Sequence, residues 1–295
     1  MAISMSSTCL ECYIKKNLKL ARTLGDDAQA VAFAKALLKL WLEAPEGVPS
    51  PWMGPRVADL LNQMYGLPID RYRQEKIDSN EFFLARQDQI RAKVATAPDP
   101  VFAGLQFAIL GNYLDFSALQ ENLSFDTLEK MLEEALDMDL DRDCYAQLCR
   151  DMEKGKNLLY LTDNAGEIGF DRIFAEEIAK RYPHLQITFC VRGQIAQNDA
   201  TRADAKAVGL PFPVIDNGNR IAGTVIAEMS PESKEALDRA DLILAKGMGN
   251  VETMYGNPYN VYYAFLVKCQ HFVNLFNKPL FTPMLVREPG YEGGK

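Results

Sequence analysis

Asp163 and Asn164 close an apolar run and are followed by Ala165, Gly166 and Glu167. A carboxylate beside an amide oxygen is a pair of hard donors suited to Mg2+ or Mn2+, and Gly166 lets the chain turn sharply into a following helix. Either Asp163 or Asn164 could instead simply cap that helix. A second stretch, Gln197-Asn198-Asp199-Ala200-Thr201, sets another carboxylate after a second apolar run. Asp199 joins the first pair if the two runs are neighbouring strands, as sequential strands usually are; otherwise it or Asn198 caps the next helix. The third stretch, Lys246-Gly247-Met248-Gly249-Asn250-Val251-Glu252, places a compact positive charge beside two glycines whose backbone N–H groups can approach an anion. Glycines after a strand are also ordinary turn residues, and a lone lysine is usually solvated. The Walker A pattern GxxxxGK[ST] is absent, so a nucleoside triphosphate is not indicated. Taken together, the three stretches describe an oxygen-ligated divalent cation facing an anion-binding loop.

Such residues need a scaffold that brings separate strand ends together. After Gly155 short apolar runs at 157–161, 185–191, 212–215 and 241–245 alternate with helical stretches at 170–181, 201–208 and 231–240, which predicts a parallel sheet. Ligands bind such sheets outside the carboxyl ends of the strands, where all three polar stretches fall. Before Gly155 the period is helical throughout. Val31, Ala34, Leu38 and Trp41, with Leu37 beside them, form one stripe, and further helices read over 72–94, 101–110 and 126–136. The segment 261–268 also reads as helix. The expected architecture is α/β: a helical N-terminal domain over 1–155, packed on a Rossmann-like α/β/α domain over 156–288 with a mostly parallel sheet, and a disordered tail over 289–295.

The 295 residues are 48% apolar and 24% charged, ordinary globular proportions that exclude low-complexity classes. Lys and Arg number 32 against 40 Asp and Glu, a net charge of −8, which argues against a general nucleic-acid binder while allowing an anionic small ligand where positive charge is local. No uncharged run reaches the length of a membrane helix, and the first twelve residues do not read as a secretory signal, so a cytoplasmic protein with reduced cysteines is expected. Oligomeric state leaves no mark in the sequence.

The three stretches, in this order and spacing, resemble the metal-dependent damage-control phosphatase family, long called domain-of-unknown-function family 89 and also named after acidic-residue methyltransferase. The resemblance extends through Cys9-Leu10-Glu11-Cys12, Lys76, Asn80, Gly111-Asn112-Tyr113-Leu114-Asp115 and Lys268-Cys269. It implies hydrolysis of phosphomonoesters of small metabolites such as sugar phosphates, with Mn2+, Mg2+, Co2+ or Ni2+ as cofactor. By matching motifs, Asp163, Asn164 and Asp199 would hold the cation. Lys246 would join Asp163 and Asp199 in catalysis, and Glu167, Met248, Gly249, Asn250, Val251, Glu252 and Lys268 would contact substrate, with Asn112 and Asp115 lining its far side. Lys268 could equally be a surface lysine of the 261–268 helix, and Asn112 could end its own helix.

The Cys9–Cys12 pair together with Cys269 is similar to the archaeal and bacterial branch of that family. Three thiolates lack a fourth zinc ligand, so buried structural thiols are the competing account. Asp137-Met138-Asp139-Leu140-Asp141 follows a helix rather than a strand, and it lacks the calcium-loop Gly and Glu, so it reads as an acidic turn. A methyltransferase would need a denser glycine pattern after the first strand and an acidic end to the second, where Val191-Arg192-Gly193 stands. A dinucleotide oxidoreductase would need GxGxxG. A non-catalytic binder of phosphorylated ligands would use the same residues without turnover.

Overall fold

A computed structural model of the chain describes residues 3–114 and 125–291. Six strands, β1 (Asn157–Leu161), β2 (Gln186–Val191), β3 (Val214–Asp216), β4 (Leu242–Lys246), β5 (Val261–Leu266) and β6 (Pro283–Arg287), form one sheet in the order β3-β2-β1-β4-β5-β6. The first five run parallel and β6 is antiparallel to β5. Every residue of β4 and β5 is buried, as expected where helices cover both faces of a parallel sheet. The chain reverses its direction of growth between β1 and β4. That topological switch point opens a crevice at their carboxyl ends.

Three of the sequence-read strands fall within a residue of β1, β2 and β4, and β3 begins two residues later than expected. The segment read as helix over 261–268 is instead β5. Its run Val-Tyr-Tyr-Ala-Phe-Leu is buried on both faces, so it has no period that separates strand from buried helix, and its aromatic and β-branched content decides.

The N-terminal helices Ser7–Leu24, Asp27–Leu42 and Gly54–Tyr65 share a small core of Ala21, Ala30, Phe33, Leu37, Val57 and Leu61. The inward face of the second helix is therefore one position away from the expected stripe. Phe33 is fully buried while Val31 and Leu38 are 47% and 46% exposed, because the larger aromatic side chain fills the space between the helices. The helix Pro100–Gly111, started by the Asp99 cap, is buried from Val101 to Gly111 and packs against the helix Glu167–Arg181. Together with Arg142–Lys154 it shares one apolar cluster with β1, β2, β4 and β5. An all-round apolar helix can only sit there, and it delivers Asn112 to the crevice at its C-terminal end. Of the expected tail, Pro289 and Gly290 lie in a turn held by the Glu288 carboxylate, and residues 292–295 are outside the described residues. No helix among the described residues is long and apolar enough to cross a membrane.

Candidate active site

β1 pairs with β4 through Leu161 and Ala245 and with β2 through Leu161 and Cys190, so the three polar stretches leave the sheet side by side. The loop after β2 then folds back onto the loop after β1. The Ala200 N–H donates to the Asp163 carbonyl oxygen at 2.7 Å, the Ala165 N–H donates to that of Asn198 at 2.9 Å, and Asn164 bridges Asp199. Asp163, Asn164 and Asp199 are thus brought to one place. Gly166 opens the next helix at φ 75°, and a Cβ there would meet Ser79 at 2.7 Å. Its N–H donates to Asn80 Oδ1 at 2.7 Å. Asn80 donates in turn to Asp204, which is paired with Lys76 at 2.7 Å, so the helix Arg73–Leu84 clamps this turn.

The site is a buried network of charge. Asp163 Oδ2 accepts from the side-chain amides of Asn112 at 2.8 Å and Asn164 at 2.7 Å. Glu167 Oε2 accepts from the same two amides at 2.9 and 2.8 Å. Behind them Lys246 Nζ donates to Glu167 Oε1 at 2.8 Å, Asp171 Oδ1 at 2.6 Å and the Ala108 carbonyl oxygen at 2.8 Å. The Tyr160 hydroxyl donates to Asp171 at 2.8 Å, and Arg192 Nε donates to Asp199 Oδ2 at 2.6 Å. Burial, reinforced by repulsion from Glu167 and Asp199, holds the Asp163 carboxyl well above its ordinary range, against the pull of Lys268 and Arg192. Burial likewise raises Asp171 to about 7, although Lys246 opposes the shift.

Several expected contacts are redistributed. Lys246 was expected at the phosphate. Instead its ammonium is fully buried and satisfied by three acceptors, because two carboxylates of the helix Glu167–Arg181 attract it inward. Glu167 and Asn112 are also fully buried and face Asp163 rather than the opening. The expected loop after β4 is the helix Gly247–Met254. Only its half-buried opening residues, Met248 and Gly249, are at the anion-favouring end. Asn250 is buried and bonded to Thr162, Lys246 and Thr224, and Val251 lies in the core. Glu252 sits a turn further on, near Tyr13 and Cys269. Lys268 follows β5 rather than ending a helix. Its Nζ donates to the Asn112 carbonyl oxygen at 2.7 Å, half-buried at the rim. Asp115 lies outside the described residues. Sequence reading missed Arg192, Asp171 and Tyr160; for Arg192 the signal was an arginine ending a buried strand seven residues before Asp199, a poor place for an unpaired charge.

Among the described residues no three Cys, His, Asp or Glu side chains gather into a metal-holding cluster. Oxygen donors from Asp163, Asn164 and Asp199 form a mixed carboxylate and amide set of the kind hard divalent cations take. Charge favours the same conclusion. Four buried carboxylates, Asp163, Glu167, Asp171 and Asp199, face only two fully buried cations, Lys246 and Arg192, and the surplus falls on Asp163. The residues therefore fit a divalent cation.

The model of the Damage-control phosphatase ARMT1-like domain matches residues 5–282 of the chain. A damage-control phosphatase of Pyrococcus horikoshii is 32% identical over 203 residues, 68% of each chain. One of Archaeoglobus fulgidus is 29% identical over 281 residues, 91% of this chain and 93% of that protein. An uncharacterised protein of Methanocaldococcus jannaschii is 31% identical over 283 residues. The crystal structure of a DUF89 family protein from Pyrococcus horikoshii superimposes with a TM-score of 0.80 at 25% identity, covering 97% of this chain and 99% of that one.

Proposed function

The chain belongs to the damage-control phosphatase ARMT1-like family, and from that premise we propose that it is a divalent-metal-dependent phosphatase hydrolysing phosphomonoesters of small metabolites such as sugar phosphates. The observation that carries this reading is the surplus of buried carboxylate at Asp163, brought together with Asn164 and Asp199 beside a helix N-terminus and Lys268. Asp163, Asn164 and Asp199 would hold the cation, which when bound supplies Lewis-acid polarisation of a phosphoryl oxygen and neutralises developing charge. Lys268 and the N–H groups opening the helix Gly247–Met254 clamp the remaining phosphoryl oxygens. Asn112 and Glu167 do not touch substrate in this scheme. Asn112 and Asn164 donate to the Asp163 carboxylate, Glu167 anchors the same two amides, and Arg192 fixes the carboxylate of Asp199, so little reorganisation is needed as charge develops.

Purified protein should release inorganic phosphate from sugar phosphates with added Mn2+, Co2+, Ni2+ or Mg2+, and chelator should remove the activity. Asp163→Ala should abolish turnover while leaving a cooperative melt. Consumption of S-adenosylmethionine with no phosphate release under any of these metals would replace the reading with a methyltransferase.

A further inference from the structure

The loops that bring Asp199 and Arg192 into the site also wall a second opening. A cavity of about 200 Å3 lies between the N-terminal helices and residues 195–197 and 220–222, and Lys16, Arg71 and Arg220 are in its walls. Three cations and no carboxylate line this cavity in a chain whose net charge is −8, and Asp59, outside the lining, offsets Arg220. Two of them are held in place: Arg220 by an ion pair with Asp59, and Arg71 over the Tyr72 ring at 4.8 Å. Val57 and Ile69 add apolar wall beside the half-buried Arg71 and Arg220, while Lys16 is exposed.

This cavity adjoins the carboxylate cluster through covalent neighbours. Gln197, on its wall, has φ 52°, a strained conformation for a residue with a side chain, in the turn closed by the Asp199 N–H on the Ala196 carbonyl oxygen at 2.9 Å. Two residues of chain span at most about 7 Å, so the cavity wall and the Asp199 carboxylate are within the reach of one small metabolite. On the other wall Ala222 precedes Gly223, whose carbonyl oxygen accepts from Arg192 Nη1 at 2.9 Å while the same guanidinium holds Asp199.

We infer that the cavity is a distal subsite for a second anionic group, phosphate or carboxylate, on the substrate whose phosphoester is cleaved at Asp163 and Asp199. This rests on the phosphatase reading and narrows its substrate class to small metabolites that are anionic at both ends. Arginine matches either anion through paired N–H donors, whereas a neutral sugar hydroxyl offers no charge to match.

The test compares kcat/KM for glucose 6-phosphate, glucose 1,6-bisphosphate and 6-phosphogluconate in the wild type and in Lys16→Ala/Arg71→Gln. The wild type should prefer at least one doubly anionic substrate by about tenfold or more, and the preference should collapse toward parity in the variant, through KM. The bisphosphate and sugar-acid arms tell phosphate from carboxylate. Lys16→Arg/Arg71→Lys should restore much of the preference if charge is what counts, which a merely structural role would not produce. An equal ratio in wild type and charge-removed variant overturns the inference. If no substrate releases phosphate, the phosphatase reading fails, and calorimetric titration with 6-phosphogluconate in Mn2+ decides the subsite separately. Binding weakened about tenfold by the double variant sustains it, and equal or absent binding overturns it.

Discussion

The adjacent ends of β1 and β4 carry residues of equal chemical promise, and the fold uses them in opposite ways. Asp163, two residues beyond β1, is the most open of the four carboxylates at the site, at 9% exposure, and burial and its carboxylate neighbours disfavour its ionised form. Lys246, the last residue of β4, is fully buried under the crevice, with Glu167, Asp171 and a helix carbonyl as partners. Successive strand residues point to opposite faces, so one step along the chain decides whether a charged side chain reaches the ligand or the core. The difference teaches that a strand end supplies two kinds of charge: one that handles ligand and one that holds the first in place.

Substitutions at the two strand ends separate these two kinds. Lys246→Met leaves Glu167 and Asp171 buried without their cation and should cost about 3–5 kcal/mol in a denaturant titration. Asp163→Asn keeps the shape and removes a carboxylate whose ionised form is opposed by burial and by its neighbours. Its stability should equal or exceed that of the wild type, while phosphate release falls at least about a hundredfold. If Lys246→Met lost turnover with an unchanged unfolding midpoint, the buried lysine would be a ligand-facing group after all and the contrast would collapse.

A smaller effect comes from the point where the two strand ends touch. Gly247 has φ 74°, and a Cβ there would collide with the Asp163 carboxylate. Gly247→Ala should lose about 1–2 kcal/mol from the left-handed backbone alone. It should also lower turnover by displacing Asp163, measured as kcat with saturating metal. Unchanged kcat would mean that Asp163 tolerates a shift, and would sever the link between the two ends.

Much of this arrangement is legible in the amino-acid sequence, for definite reasons. Parallel strands buried on both faces write themselves as apolar runs, so β1, β2 and β4, and the polar residues after them, stand out. β5 did not, because a continuous run of six buried residues has no period to read, and β6 buries only Leu285 fully, so it has no run of buried residues. The inward turn of Lys246 could not be read either. It depends on Asp171, eight residues beyond Asp163, and on the Ala108 carbonyl of a distant helix, and no local pattern links those positions. The stripe Val31-Ala34-Leu38 failed for a subtler reason: Ala30-Phe33-Leu37 fits the same period one residue earlier, and only packing against the Ser7–Leu24 and Gly54–Tyr65 helices chooses between them.

The smallest effect tests the far end of the helix Gly247–Met254. Burial pushes the Glu252 carboxyl up to about 8 from an ordinary 4.5. Between those values the folded chain keeps a proton that the unfolded chain has released, so stability falls as pH rises through this window. Glu252→Gln has no proton to lose. Its melting temperature should match the wild type below pH 4.5 and exceed it increasingly up to pH 8, by about 2–4 °C for each kcal/mol relieved in a chain of this size. A gain that is flat with pH would mean that packing, not the proton, is responsible. Turnover gives the second reading. Gly247 opens the helix against Asp163, whereas Glu252 lies by Tyr13 and Cys269. The substitution should therefore raise stability at pH 8 without lowering kcat, and a fall in kcat would return this carboxylate to the substrate side.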